Sequence, residues 1–268
     1  MLNNFDNYIF TNILSVLNSC VLIFGIYKVG LISQKIFLKK FFLLKKNDEI
    51  YFFAFLIGAY LTSYLLYILT ITNLASNFIY IIISRLIFLL GIFSICEFIY
   101  LKNIIIKFKK LHNNNYQSFL IITCFIGLIL ISLSLVTHAD SLAYHIPFSI
   151  NIFDTGKFDT ALLPMEFKYG SLGEMMIVLG LGVKAEQFGA LVQLSSLFSL
   201  IPLFLKQKKN INHLLFLIIL TTPITIFFIS SPKPQLLYCV STILIFSFLI
   251  NDLKNFNKKK IYLIFGII

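Results

Sequence analysis

Apolar residues run through this chain in long blocks, and polar residues gather in short clusters between them. Seven blocks stand out, at about 9–30, 50–72, 77–101, 118–136, 187–205, 212–229 and 235–251. A helix needs about 20 apolar residues to cross a bilayer core of ~30 Å, and the blocks have that length or approach it. One such block fits a helix buried in a soluble core; seven do not. The pattern predicts an all-α fold, a polytopic transmembrane helix bundle. A short neutral turn at 73–76 joins the second and third blocks. The prolines in Ser230-Ser-Pro-Lys-Pro234 force a tight turn between the sixth and seventh, because proline lacks the N–H that a helix interior needs.

The longest polar interval, Thr137 to Glu174, interrupts this pattern and holds five of the eleven carboxylates and two of the four histidines. Within it, 140–153 reads as an outward amphipathic helix lying on the membrane. Leu142, Ile146, Ile150 and Phe153 fall on one apolar stripe at helical spacing. Asp140 and Tyr144 line an adjacent face, with Ser141 and His145 beside them, and Gly156 stands where a helix C-cap is expected. Thr137 and Asp140 fit a capping box, and Asp140 also fits the N-cap position itself. His138 and His145 with one carboxylate make a weak metal pattern. Further on, the apolar run 175–183 is too short to span and reads as interfacial or re-entrant. Glu174, at its polar end, is either a helix-start charge favoured by the dipole or a site residue. Lys168 is a candidate anion partner or a solvated loop residue.

Composition agrees with a membrane protein. The 268 residues are 59% hydrophobic and 12% charged, against roughly 25% charged in soluble domains. The net charge of +11 raises the idea of nucleic acid, but its distribution excludes that partner. Sixteen basic residues cluster in the loops on one side of the predicted bundle, and four (Lys157, Lys168, Lys184, Lys233) lie on the other. The lysine-rich side is then cytoplasmic, and the N-terminus and residues 137–186 face outward from a multi-pass inner (plasma) membrane protein. The four cysteines lie inside apolar blocks and read as small core or lipid-facing residues.

Two charges fall inside spans. Arg85 sits in the third, nearer its outer end; an arginine at such depth is costly. It reaches outward to a lipid phosphate, pairs with a loop carboxylate, or snorkels. Glu97, near the cytoplasmic end, reads as snorkelling. Residues 261–268 begin another apolar run and stop, so the chain is expected to be a fragment or a truncated product; a short interfacial tail is the alternative.

Three motifs carry a resemblance: Asp140-Ser-Leu-x-Tyr-His145 followed by Thr155-Gly-Lys-Phe158, then Lys168-Tyr-Gly-Ser-x-Gly-Glu174, then a span closing in lysines. This order resembles the first outer loop of the GT-C superfamily of membrane glycosyltransferases, which use polyprenyl-phosphate sugars, such as protein mannosyltransferases and lipid A aminoarabinose transferases. Thr221-Thr-Pro223 and Ser230–Gln235 also resemble that family. The likeness covers about 117–252 and divides the chain into an N-terminal three-span region, 1–116, and a GT-C-like core, 117–268. There are departures: Ala139-Asp140 stands where many members have two acidic residues, Gln235 stands where many have Asp, and the C-terminal spans and any outer soluble domain are absent.

The resemblance implies transfer of a sugar, with inversion, from a polyprenyl-phosphate donor to a glycan, lipid or protein acceptor of the cell envelope. Asp140 would act as general base. Tyr144, His145 and Glu174 would line the sugar or acceptor pocket, and Arg85, Lys168 or Lys233 would face the departing phosphate. No metal and no cofactor are implied. Competing readings are a lipid-linked-glycan ligase or polymerase, which the single arginine disfavours; a lipid-linked glycan transporter or flippase, which wants broken helices near the midplane; and a non-catalytic subunit or remnant.

Overall fold

The computed structural model describes residues 13–38, 49–99, 116–134, 136, 139, 141–158, 172–201, 204, 210–233 and 235–255. The chain is all-helical over these residues. The first unit is a bundle of α1 (Ile13–Ser33, running into a π-helical turn Gln34–Leu38), α2 (Glu49–Ile71) and α3 (Asn77–Ile99). Three stretches are long and apolar enough to cross a membrane: Ile13–Ile36, Phe53–Ile71 and Asn77–Ile95. They correspond to the first three predicted blocks and put the protein in a lipid bilayer environment.

Glycines set how closely these helices approach. Gly25 lies against the Ile87 carbonyl and Gly91 against that of Val21; Gly30 lies against the Ala54 carbonyl and Gly58 against that of Ile26. A Cβ at any of the four would run into backbone, so α1 meets both neighbours through glycine. Lipid gives helices no hydrophobic drive to associate, and close van der Waals contact takes its place.

The fourth block forms α4 (Tyr116–Ser132). The fifth, expected to span over 187–205, instead gives α7 (Phe188–Phe198) followed by a turn. Eleven residues make about 16 Å of helix, well short of a bilayer core. Nearly every α7 residue is buried, because α7 packs against α1, α4 and several later helices. Its apolarity reflects protein on all sides; hydropathy alone does not distinguish that from lipid.

The sixth block, read as one span, is two helices: α8 (Asn210–Thr221) and α9 (Pro223–Ile229). Thr222 between them is extended, at φ −61° and ψ 131°, since a residue before proline avoids the helical region. Pro223 then opens α9, where its missing N–H costs nothing. The seventh block is α10 (Gln235–Asn255), apolar over Gln235–Ser247.

The 141–153 segment begins with a change of helix type. Ser141–His145 form a π-helical turn and α5 covers Ile146–Thr155. The buried residues are Ser141, Phe148, Ser149, Ile152 and Phe153, while Leu142 is 41% exposed. Pro147 cannot donate to the preceding turn, and the helix changes winding just before it. A π turn holds an extra residue, so a 3.6-residue count does not carry unbroken from Leu142 to Ile146. The expected C-cap is present: Gly156 has φ 73° and donates its N–H to the Ile152 carbonyl at 2.8 Å. A side chain there would also meet the Ala75 carbonyl. The capping box at Thr137 and Asp140 lies outside the described residues.

The short run after Glu174 is α6 (Leu172–Leu181), buried from Gly173 to Gly180 and seated on α2, α3, α5 and α7. Tyr80 links these parts. Its hydroxyl meets Thr70 Oγ1 at 2.7 Å, and its ring stacks on Phe153 with centroids 6.1 Å apart. Asn77 Nδ2 donates to the Phe153 carbonyl at 3.3 Å. At the far end of α6, Asn18 Nδ2 donates to the Val183 carbonyl at 2.7 Å and Ser15 Oγ donates to Gln187 Oε1 at 2.8 Å.

Candidate functional site

A cavity of about 140 Å³ opens where α5, α6 and α10 begin, lined by His145, Gly173, Glu174, Ile177, Lys233, Gln235 and Tyr238. Three stretches remote in sequence meet there. The π turn delivers His145. The first turn of α6 delivers Gly173 and Glu174. The turn after α9 and the start of α10 deliver Lys233, Gln235 and Tyr238.

The central contact is His145 Nδ1 to Glu174 Oε1, at 2.8 Å, with side chains 20% and 10% exposed. A carboxylate buried this far needs compensation. Glu174 draws it from the imidazole and from its place in the first turn of α6, where the helix dipole favours negative charge. A carboxylate on Nδ1 is the arrangement by which an acid orients an imidazole.

The other wall is fixed by side chain to backbone bonds. Gln193, fully buried on α7, accepts the Leu236 N–H through Oε1 at 2.7 Å. It thereby satisfies one of the amides left open at a helix start. Ser231 Oγ accepts the Lys233 N–H at 3.3 Å and faces Ser141 Oγ at 3.3 Å. This last contact ties the π turn to the 231–233 turn. Two helix N-termini, those of α6 and α10, border the cavity beside a lysine. The dipole ends and the ammonium favour an anion.

Of the residues singled out from sequence, His145 and Glu174 are brought into direct contact, and Lys233 joins them on the cavity. Tyr144 is 39% exposed and does not line it. Arg85 lies on the exposed face of α3 and does not line it either. Asp140 and Lys168 lie outside the described residues. Among the described residues no three His, Cys, Asp or Glu side chains gather as a metal would require. Sequence reasoning missed Tyr238, whose signal is its spacing: three residues after Gln235, it falls on the same face of α10.

Fold and site together define an all-helical, membrane-associated protein with a part-buried histidine–glutamate pair on a small cavity. Residues 100–268 match the DUF1420 N-terminal domain, and the chain belongs to that family. No curated protein and no solved structure matches the chain.

Proposed function

We propose that the protein is a multi-pass inner-membrane glycosyltransferase of GT-C type. It moves a sugar, with inversion, from a polyprenyl-phosphate donor to a glycan, lipid or protein acceptor on the outer face. The observation that carries this reading is the meeting of the Ser141–His145, Gly173–Glu174 and Ser231–Gln235 segments around one cavity. The same segments carry the resemblance in sequence, although more than 80 positions separate the first from the last.

In this reading the donor's phosphate sits by Lys233 and the two helix N-termini, and its prenyl chain stays in lipid. The C1–O bond to phosphate breaks as the acceptor oxygen or nitrogen bonds to the anomeric carbon from the opposite side. Asp140, assigned by the resemblance, takes the acceptor's proton. Lys233 and the amides stabilise the departing phosphate, which needs no added proton. His145, held by Glu174, lines the sugar side. The lysine-poor side of the bundle, which bears this cavity, faces outward.

The test is a transfer assay on membranes carrying the native protein, with a panel of labelled polyprenyl-phosphate sugars. Label passing to an acceptor supports the reading, and Lys233→Gln is then expected to raise the donor KM more than it lowers kcat. No transfer from any donor in the panel overturns it.

A second reading, a lipid-linked glycan transporter or flippase, is favoured by the break between α8 and α9 and by the short buried helix α6. Discontinuous helices of this sort line transport sites. Movement of an intact lipid-linked glycan across vesicles, without sugar transfer, is its signature.

A further inference from the structure

The outer face of α3 carries Phe78, Ile82, Leu86, Leu89 and Phe93, all exposed. Arg85 stands among them, also exposed. It lies within Asn77–Ile95, the most apolar of the three membrane-length stretches. At ~1.5 Å per residue Arg85 is about 12 Å along the axis from Asn77. Among the described residues it has no hydrogen bond and no ion pair.

A charge at that depth does not rest in hydrocarbon. Side chains on a helix lean toward its N-terminus, here the Asn77 end, where Asn77 bonds the Phe153 carbonyl of α5. An extended arginine covers roughly half of the remaining distance to that end by snorkelling. An anion drawn inward must cover the rest.

We propose that this face of α3 is a binding site for an anionic phospholipid of the leaflet at the Asn77 end. The guanidinium takes the phosphate oxygens through paired N–H bonds. The acyl chains lie along Leu86, Leu89 and Phe93. The occupant is a resident phospholipid and not a polyprenyl-phosphate donor, because no α3 residue lines the cavity and Lys233 supplies a cation there. The site is independent of the transferase reading.

The experiment uses the full chain in nanodiscs of mixed phosphatidylglycerol and phosphatidylcholine, with bound lipid counted by native mass spectrometry. The native protein is expected to retain phosphatidylglycerol preferentially. Arg85→Leu is expected to lose that preference several-fold, and Arg85→Lys to keep most of it. Arg85→Gln, which retains a polar side chain, covers the case in which the leucine variant fails to insert, and it too should lose the preference. Unchanged phosphatidylglycerol retention in Arg85→Gln or Arg85→Leu overturns the site. So does displacement of the bound phospholipid by equimolar polyprenyl phosphate, which would make the donor the occupant. A change from monomer to dimer on losing Arg85, without a change in bound lipid, points to a protein partner and also overturns it.

Discussion

His145 Nδ1 and Glu174 Oε1 lie 2.8 Å apart across 29 positions of chain. The contact joins the π turn before α5 to the first turn of α6, so it reports on the seating of both helices. Truncating either partner leaves the other part-buried with one partner fewer, at a cost of about 1–3 kcal/mol. A double-mutant cycle of His145→Ala and Glu174→Ala, measured by unfolding in detergent micelles, is expected to give a coupling of about 0.5–3 kcal/mol. Strictly additive losses would show that the two side chains do not sense each other.

The glycines of the first bundle give a sharper contrast. Gly58→Ala and Gly91→Ala force a methyl against a carbonyl of α1, at Ile26 and Val21 respectively. Each is expected to cost about 1–3 kcal/mol through overpacking. Gly127 on α4 has nothing within 4 Å of an added Cβ. Gly127→Ala is therefore expected to be neutral, or to gain up to ~1 kcal/mol from helix propensity. Unfolding of the three variants side by side checks this, and equal destabilisation at Gly127 and Gly58 would remove the packing argument.

Glu186, in the turn between α6 and α7, links stability to pH. Burial pushes its carboxyl up from the usual 4.5 to about 7. Below the usual range the group is protonated in folded and unfolded chains alike and costs nothing. As pH rises toward 7 the unfolded chain releases its proton first, so folding loses stability; above 7 the penalty is complete. Glu186→Gln is expected to match the native protein near pH 4 and exceed its thermal midpoint near pH 8. A difference in midpoint that does not vary with pH contradicts the account.

Tyr80 tests how far the first bundle supports the site. It bonds Thr70, stacks on Phe153 at the end of α5, and has its carbonyl 3.3 Å from where a Cβ on Gly182 would sit, past α6. Tyr80→Phe removes one buried hydrogen bond and is expected to cost ~1 kcal/mol. Tyr80→Ala empties a fully buried aromatic position and is expected to cost about 3–5 kcal/mol. The same unfolding assay ranks the two, and similar small losses would mean that α5 and α6 hold their places without this contact.

Several of these features are legible in the sequence. The three membrane-length helices follow from long apolar runs. The end of α5 follows from Gly156, and the short helix after Glu174 from a run too brief to span. Others are not, for physical reasons. Phe188–Phe198 is as apolar as a span because protein surrounds it. The π turn at Ser141–His145 has no plain signal, because a 3.6-residue count runs straight through it. His145 and Glu174 both fall in the polar interval between the apolar blocks, but only tertiary packing brings them together. Gln193, which holds the start of α10, gives no local signal.

The measurement that bears most directly on the transferase reading is sugar transfer by native and Asp140→Asn protein, at equal membrane levels, from a labelled polyprenyl-phosphate sugar. The account predicts transfer by the native protein and its near-complete loss in Asp140→Asn, since an amide does not accept the acceptor's proton. Equal transfer by both would contradict the general-base assignment, and transfer by neither would contradict the enzyme itself.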